Sequence, residues 1–150
     1  MVKYLIWGFF REYLRLKEFM RSRLEKKKIF IGEDESELRD SLVEYLESYN
    51  FQVVHSGRVS DSLFKLKNQK FDLIVLDIRF PDGTADRVIH QIRSDKKDLN
   101  YATPILVGSG NLDMVLVQEI GNKINGALVK PYSLESFVEK VQSFFPESKK

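Results

Sequence analysis

The sequence predicts an α/β fold: five parallel strands in one doubly wound sheet, helices on both faces in a three-layer arrangement, and one extra amphipathic helix at the N-terminus. Three observations carry this reading. From Lys28 onward, short apolar runs alternate strictly with segments of helical spacing, five times over; such alternation builds βα units on a parallel sheet. The central runs are apolar throughout, as strands covered on both faces require. The connections are short, and right-handed crossovers are expected.

Residues 2–25 contain no proline and a single glycine, Gly8, and read as one helix. Val2, Ile6, Phe9, Tyr13, Leu16 and Met20 follow a 4-3-4-3-4 spacing, the a/d rhythm of a coiled-coil seam. Three readings of this stripe stay open: packing on the protein's own body, self-association as a homodimer, or docking on a partner or membrane surface. The last is prompted by Trp7, Phe9 and Phe10 beside Arg11, Arg15 and Lys17; membrane contact is the less favoured of its forms.

KIFIG (28–32) is the first strand, and SELRDSLVEYLESY (36–49) shows helical spacing at Leu38, Leu42, Tyr45 and Leu46. Ser36, with Glu35 and Glu37 beside it, marks the helix start. FQVVH (51–55) is the second strand and SDSLFKLKNQ (60–69) the second helix of the body; FDLIVLD (71–77) and ADRVIHQIRSD (85–95) follow. TPILVGS (103–109) is a strand, NLDMVLVQEIGN (111–122) a helix, GALVK (126–130) the fifth strand and SLESFVEKVQSFF (133–145) the last helix, stopped by Pro146.

Composition narrows the chemistry. The 150 residues suit one ordinary domain with an appendage, and 43% hydrophobic residues suffice for a core. With no cysteine, disulfides, thiolate catalysis and Cys-based zinc sites are excluded. Two histidines, His55 and His90, lie far apart, which argues against a histidine metal cluster. Residues 1–28 carry nine Lys/Arg and three Glu, a net of +6, while the remainder has 15 basic and 19 acidic residues, a net of −4. The body is therefore mildly acidic, and no nucleic-acid partner is expected. The apolar run Tyr4–Phe10 is too short to span a membrane and is followed by no small-residue cleavage site, so a cytoplasmic location is expected.

In an open α/β sheet, ligands bind outside the carboxyl ends of the strands. The first strand ends in Glu33-Asp34, the third in Asp77, the fourth in Ser109 between Gly108 and Gly110, and the fifth in Lys130 before Pro131. An acid ending a buried strand is costly unless compensated. Three carboxylates and one ammonium on a single rim compensate one another. Three carboxylates without cysteine or histidine form a hard-oxygen site of the kind that suits Mg²⁺, and a lysine with a small hydroxyl opposite suits a tetrahedral oxyanion, as phosphoryl transfer needs.

With these residues in place, the chain resembles the receiver domain of bacterial two-component response regulators, over about residues 28–145. KKIFIGEDESELRDSL is similar to that family's first strand with its acid pair, and DLIVLDIRFPDG to its phosphoacceptor strand. PILVGSG is similar to the strand bearing the family's Ser/Thr, and ALVKP to its Lys-Pro. The resemblance implies the flavodoxin-like strand order 2-1-3-4-5 and three segments: a basic arm at 1–27, a receiver domain at 28–146 and a short polar tail at 147–150. It implies Asp77 as the phosphoacceptor, fed by a histidine kinase or histidine phosphotransfer protein. Mg²⁺ would be held by Glu33, Asp34, Asp77 and the backbone carbonyl of Arg79. Ser109 would bond a phosphoryl oxygen, Lys130 would pair with Asp77 and then with phosphate, and the Lys130–Pro131 bond would be cis.

The sequence departs from that family at three places. Glu33 stands where Asp is commoner, Ala127 where an aromatic switch residue is usual, and Ala85 where glycine is frequent. Phosphotransfer keeps all its groups, but output through a rotating ring does not. With no helix-turn-helix segment in these residues, output through an unidentified protein partner or the arm is expected, without turnover catalysis beyond self-phosphorylation and autodephosphorylation. The alternative is an interaction module of the same fold that does not use phosphorylation. A hydrolase of the haloacid-dehalogenase type, which DIRFPDGT loosely resembles, needs an acid two residues past the nucleophile, where Arg79 stands.

Overall fold

A computed structural model describes residues 1–110 and 113–146. Its elements run α1 (Val2–Leu24), β1 (Lys28–Gly32), α2 (Ser36–Ser48), β2 (Gln52–Ser56), α3 (Val59–Asn68), β3 (Leu73–Asp77), β4 (Arg79–Phe80), β5 (Gly83–Thr84), α4 (Ala85–Ser94), β6 (Ile105–Ser109), α5 (Met114–Ile120), β7 (Gly126–Val129) and α6 (Leu134–Gln142). Five strands form one parallel sheet in the order β2-β1-β3-β6-β7, the expected 2-1-3-4-5 order once the short β4–β5 ribbon is set aside.

The period-2 geometry of a strand splits each apolar run between two cores. Ile29, Ile31, Leu73, Val75 and Leu106 face Leu42 and Leu46 of α2 and Phe137, Val138 and Val141 of α6. Phe30, Ile74, Leu76, Ile105 and Val107 face Val59 and Leu66 of α3, Val88, Ile89 and Ile92 of α4, and Val117 and Ile120 of α5. Both faces of the sheet are thus covered, the continuous apolar runs having predicted it.

Several predicted boundaries move, each for a local reason. β3 begins at Leu73 and not Phe71, because the Phe71 N–H bonds the Asn100 side chain at 2.8 Å instead of joining the ladder. β6 begins at Ile105, after Pro104, whose ring nitrogen cannot donate. The helix expected at 111–122 is α5 followed by a 3₁₀ turn at Gly121–Lys123; its first two residues, 111 and 112, lie outside the described residues, as does the 147–150 tail. α6 ends at Gln142 rather than 145, and Ser133 caps it, accepting from the Ser136 N–H at 3.0 Å. α2 stops where Asn50 turns left-handed at φ 67°, a conformation Asn tolerates.

The β4–β5 ribbon was not foreseen. Arg79 pairs with Thr84 and Phe80 with Gly83, so the turn between them carries Asp82 to the start of α3. There its carboxylate accepts from the Val59 and Ser60 N–H groups at 2.7 and 3.0 Å and is held down at a pKa of about 2, chiefly by those two bonds. Asp82 thereby caps α3 from 23 residues away in sequence. Gly32 ends β1 where a Cβ would meet Leu76 Cδ2 at 2.8 Å and Phe80 Cζ at 3.1 Å. That close approach is why the first strand can end beside the third.

α1 stands apart from these cores. None of its residues is buried, which leaves no support for packing on the protein's own body. Among the described residues, no helix is long and apolar enough to cross a membrane.

Candidate functional site

Parallel pairing sets the site. β1 and β6 flank β3, and Asp77 pairs with Gly108, so the carboxyl ends of the three strands converge. Glu33, one residue past β1, is buried to 2% exposure. Its Oε1 accepts from the Glu35 N–H at 3.1 Å and its Oε2 from Lys130 Nζ at 2.8 Å. Lys130 also reaches Asp77 Oδ2 at 3.1 Å, so one ammonium bridges two carboxylates. Glu33, Asp34 and Asp77 each offer a carboxylate oxygen within 4.8 Å of the others, Asp34 being the exposed member. The loop that presents the acid pair is pinned by Arg39, whose Nη1 donates to the carbonyls of Glu33 at 2.9 Å and Asp34 at 3.4 Å.

Burial dominates the proton chemistry. It pushes the Glu33 carboxyl from its ordinary 4.5 up to about 6, against the Lys130 hydrogen bond, while the Asp77 charge pushes the same way as burial. Burial likewise raises Asp77, with Lys130 opposing. For Lys130, burial favours the neutral amine, but the hydrogen bond to Glu33 and the Glu33 and Asp77 charges outweigh it and hold the ammonium above its usual range. The cleft therefore carries excess negative charge that one lysine offsets only in part. Three oxygens this close fit a small hard cation, which would relieve the repulsion.

Of the other residues singled out from the sequence, Ser109 is completely buried at the end of β6, and its Oγ finds no hydrogen-bond partner among the described residues. The Arg79 side chain turns outward to Asp113, Nε to Oδ1 at 2.7 Å. The Lys130–Pro131 peptide bond is cis. Ala127 lies exposed on β7, the strand at the sheet's edge.

One residue of this cleft escaped the sequence reading. Tyr132 lines the small cavity beneath the site together with Glu33, Asp77, Gly108 and Lys130. Its ring stacks on Phe137, with centroids 5.7 Å apart, and burial pushes its phenol up to about 12. Gly108 borders both groups: a Cβ there would be in ordinary van der Waals contact, 3.6 Å from Lys130 Cε and 3.7 Å from the Tyr132 hydroxyl. Following the turn beyond Pro131, instead of stopping at the strand end, would have found it.

A doubly wound sheet in this order, with an acidic cleft at its carboxyl edge, defines the receiver class of two-component signalling domains. Residues 29–142 match the family described as the response regulator receiver domain, and the chain belongs to it. Among curated relatives, the transcriptional regulatory protein YxdJ of Bacillus subtilis is 30% identical over 119 residues, covering 77% of this chain and 49% of the relative. The transcriptional regulatory protein CrdR of Helicobacter pylori is 26% identical over 121 residues, 80% of this chain and 55% of the relative. The chain thus spans about half the length of these two relatives. The chemotaxis response regulator CheY4 of Vibrio cholerae superposes with a TM-score of 0.72 at 22% identity, covering 80% of this chain and 99% of that one. The receiver domain of sensor histidine kinase PA1611 from Pseudomonas aeruginosa, described with a magnesium ion in its active-site cleft, gives 0.70 at 18% identity, with coverages of 81% and 99%.

Proposed function

We propose that this receiver is a phosphorylation-dependent switch, acting in the cytoplasm, in which Asp77 takes a phosphoryl group from the phosphohistidine of a kinase or phosphotransfer protein. The observation that carries the reading is the Lys130 ammonium, held 2.8 Å from Glu33 and 3.1 Å from Asp77 in a cleft of three carboxylates. An Asp77 carboxylate oxygen attacks phosphorus, a P–O bond forms, the P–N bond breaks, and its electron pair returns to the donor imidazole. Lys130 orients Asp77 beforehand and can follow the charge onto the phosphoryl oxygens. The Ser109 hydroxyl, without a partner among the described residues, is a donor in reserve for a phosphoryl oxygen. Glu33, Asp34, Asp77 and the Arg79 carbonyl would hold Mg²⁺, which when bound neutralises the charge gathering between carboxylates and phosphoryl group. Residues 28–146 form the switch in this reading and residues 1–27 an output arm, with contacts to other proteins, self-association through α1 included, as the output.

Acetyl phosphate with Mg²⁺, read by intact mass, tests the site. One phosphoryl group is expected on the parent chain, and none on Asp77→Asn or when Mg²⁺ is withheld. No mass gain on the parent, with beryllofluoride leaving the unfolding temperature unmoved, would leave the phosphorylation-independent interaction module.

A further inference from the structure

α1 is the largest feature that the cleft does not use. Its 23 residues bury nothing, and Ile6, Phe9, Tyr13, Leu16 and Met20 are each more than half exposed. A continuous apolar stripe in water marks an interaction surface. We propose that a second copy of this chain covers it, the two α1 helices forming a parallel, in-register, two-stranded coiled coil. This rests on the self-association reading given above and adds its direction and register.

The heptad assignment follows from the spacing. Ile6, Tyr13 and Met20 take the a positions, and Val2, Phe9 and Leu16 the d positions; the seam ends where the next d falls on Arg23. In a parallel pair, each g residue faces the e′ residue five positions on in the other helix. Those pairs are Leu5 with Phe10′, Glu12 with Lys17′ and Phe19 with Leu24′: two apolar, one of opposite charge, all repeated by the two-fold axis. The antiparallel alignment that sets Ile6, Tyr13 and Met20 against the apolar d residues Leu16′, Phe9′ and Val2′ brings like charges together. It sets Glu12 against Glu12′ and Lys17 against Lys3′. Charge complementarity thus selects the parallel form. In the single chain, Lys17 Nζ lies 5.8 Å from the centre of the Tyr13 ring, at the flank of the seam and within reach of the partner's Glu12. On the outer face, Trp7 lies under the Arg11 guanidinium at 6.0 Å, so the seam does not need it.

Sedimentation equilibrium on the full chain is expected to give twice the 17.6 kDa chain mass at high concentration. Because the chain has no cysteine, single Val2→Cys and Arg23→Cys variants, both at d positions, report direction. After mild oxidation of an equimolar mixture, each variant is expected to crosslink to its own kind. Glu12→Lys and Lys17→Glu are each expected to raise the dimer dissociation constant severalfold, and the double variant to return it toward the parent. Mixed Val2→Cys with Arg23→Cys disulfides in a dimer would overturn the parallel register and leave self-association standing. A monomer at every concentration would overturn both. Among such monomers, binding to vesicles containing anionic phospholipid would assign the stripe to a lipid surface.

Discussion

At Ser109 a hydroxyl lies completely buried with no hydrogen-bond partner among the described residues. A buried polar atom without a partner is destabilising, so its removal loses no bond. Ser109→Ala is therefore expected to keep or raise the stability of the unmodified protein, changing it by no more than about 1 kcal/mol. The loss should appear only when an oxyanion is present: the rise in unfolding temperature on adding beryllofluoride and Mg²⁺ is expected to be smaller in Ser109→Ala than in the parent. Glu33 gives a second residue-scale expectation. Its folded-state pKa of about 6 lies above the ordinary 4.5, so the proton binds the folded state more tightly. The associated stability is full below about 4.5 and is lost as pH rises through about 6, roughly 2 kcal/mol for a shift of this size. Glu33→Gln does not titrate. In metal-free buffer, its unfolding free energy relative to the parent is expected to move about 2 kcal/mol in the variant's favour across that window, measured by urea unfolding at each pH. The converging acids, the serine and the lysine were legible as strand-end residues. The sharing of Lys130 between Glu33 and Asp77 was not, nor was Tyr132, because both depend on side-chain packing across strands.

Between elements, the long-range ties were the part hidden from the sequence. Periodicity located every strand of the main sheet and every helix to within a few residues, since burial on two faces writes itself into apolar spacing. Residues that join elements leave no such period. Asn100 sits in a connection, yet is fully buried, donating through Nδ2 to the carbonyls of Leu66 at 2.7 Å and Gln69 at 2.8 Å. Its Oδ1 accepts from the Phe71 N–H at 2.8 Å and from Thr103 Oγ1 at 3.2 Å. One amide thus fastens the end of α3, the approach to β3 and the approach to β6. Asn100→Ala leaves several buried groups without partners at once, and is expected to cost about 3–5 kcal/mol in chemical denaturation. Asn100→Asp keeps the acceptor but offers carbonyl oxygens a carboxylate where Nδ2 donated, and should be no better.

Taken whole, the molecule joins two parts of different physical character. The body has two cores on either side of a five-stranded sheet and is expected to unfold as a cooperative unit on that account. α1 holds about a third of the residues in α-helix but buries none of its side chains. A lone helix whose amphipathic face packs on nothing lacks the main source of helical stability, because nucleation is unfavourable and packing usually supplies most of a helix's stability. Its order must then be drawn from whatever covers its stripe. For a second copy, helicity becomes a function of protein concentration. On dilution through the dimer dissociation constant, far-ultraviolet circular dichroism is expected to lose up to about a third of its helical signal, while near-ultraviolet signals from the body stay constant. The unfolding temperature of the body should be independent of concentration over the same range, since no residue of α1 is part of either core. Constant helicity at every dilution would show that α1 is ordered without a second copy, and a body transition that shifts in step with concentration would show that the arm and the sheet share one cooperative unit.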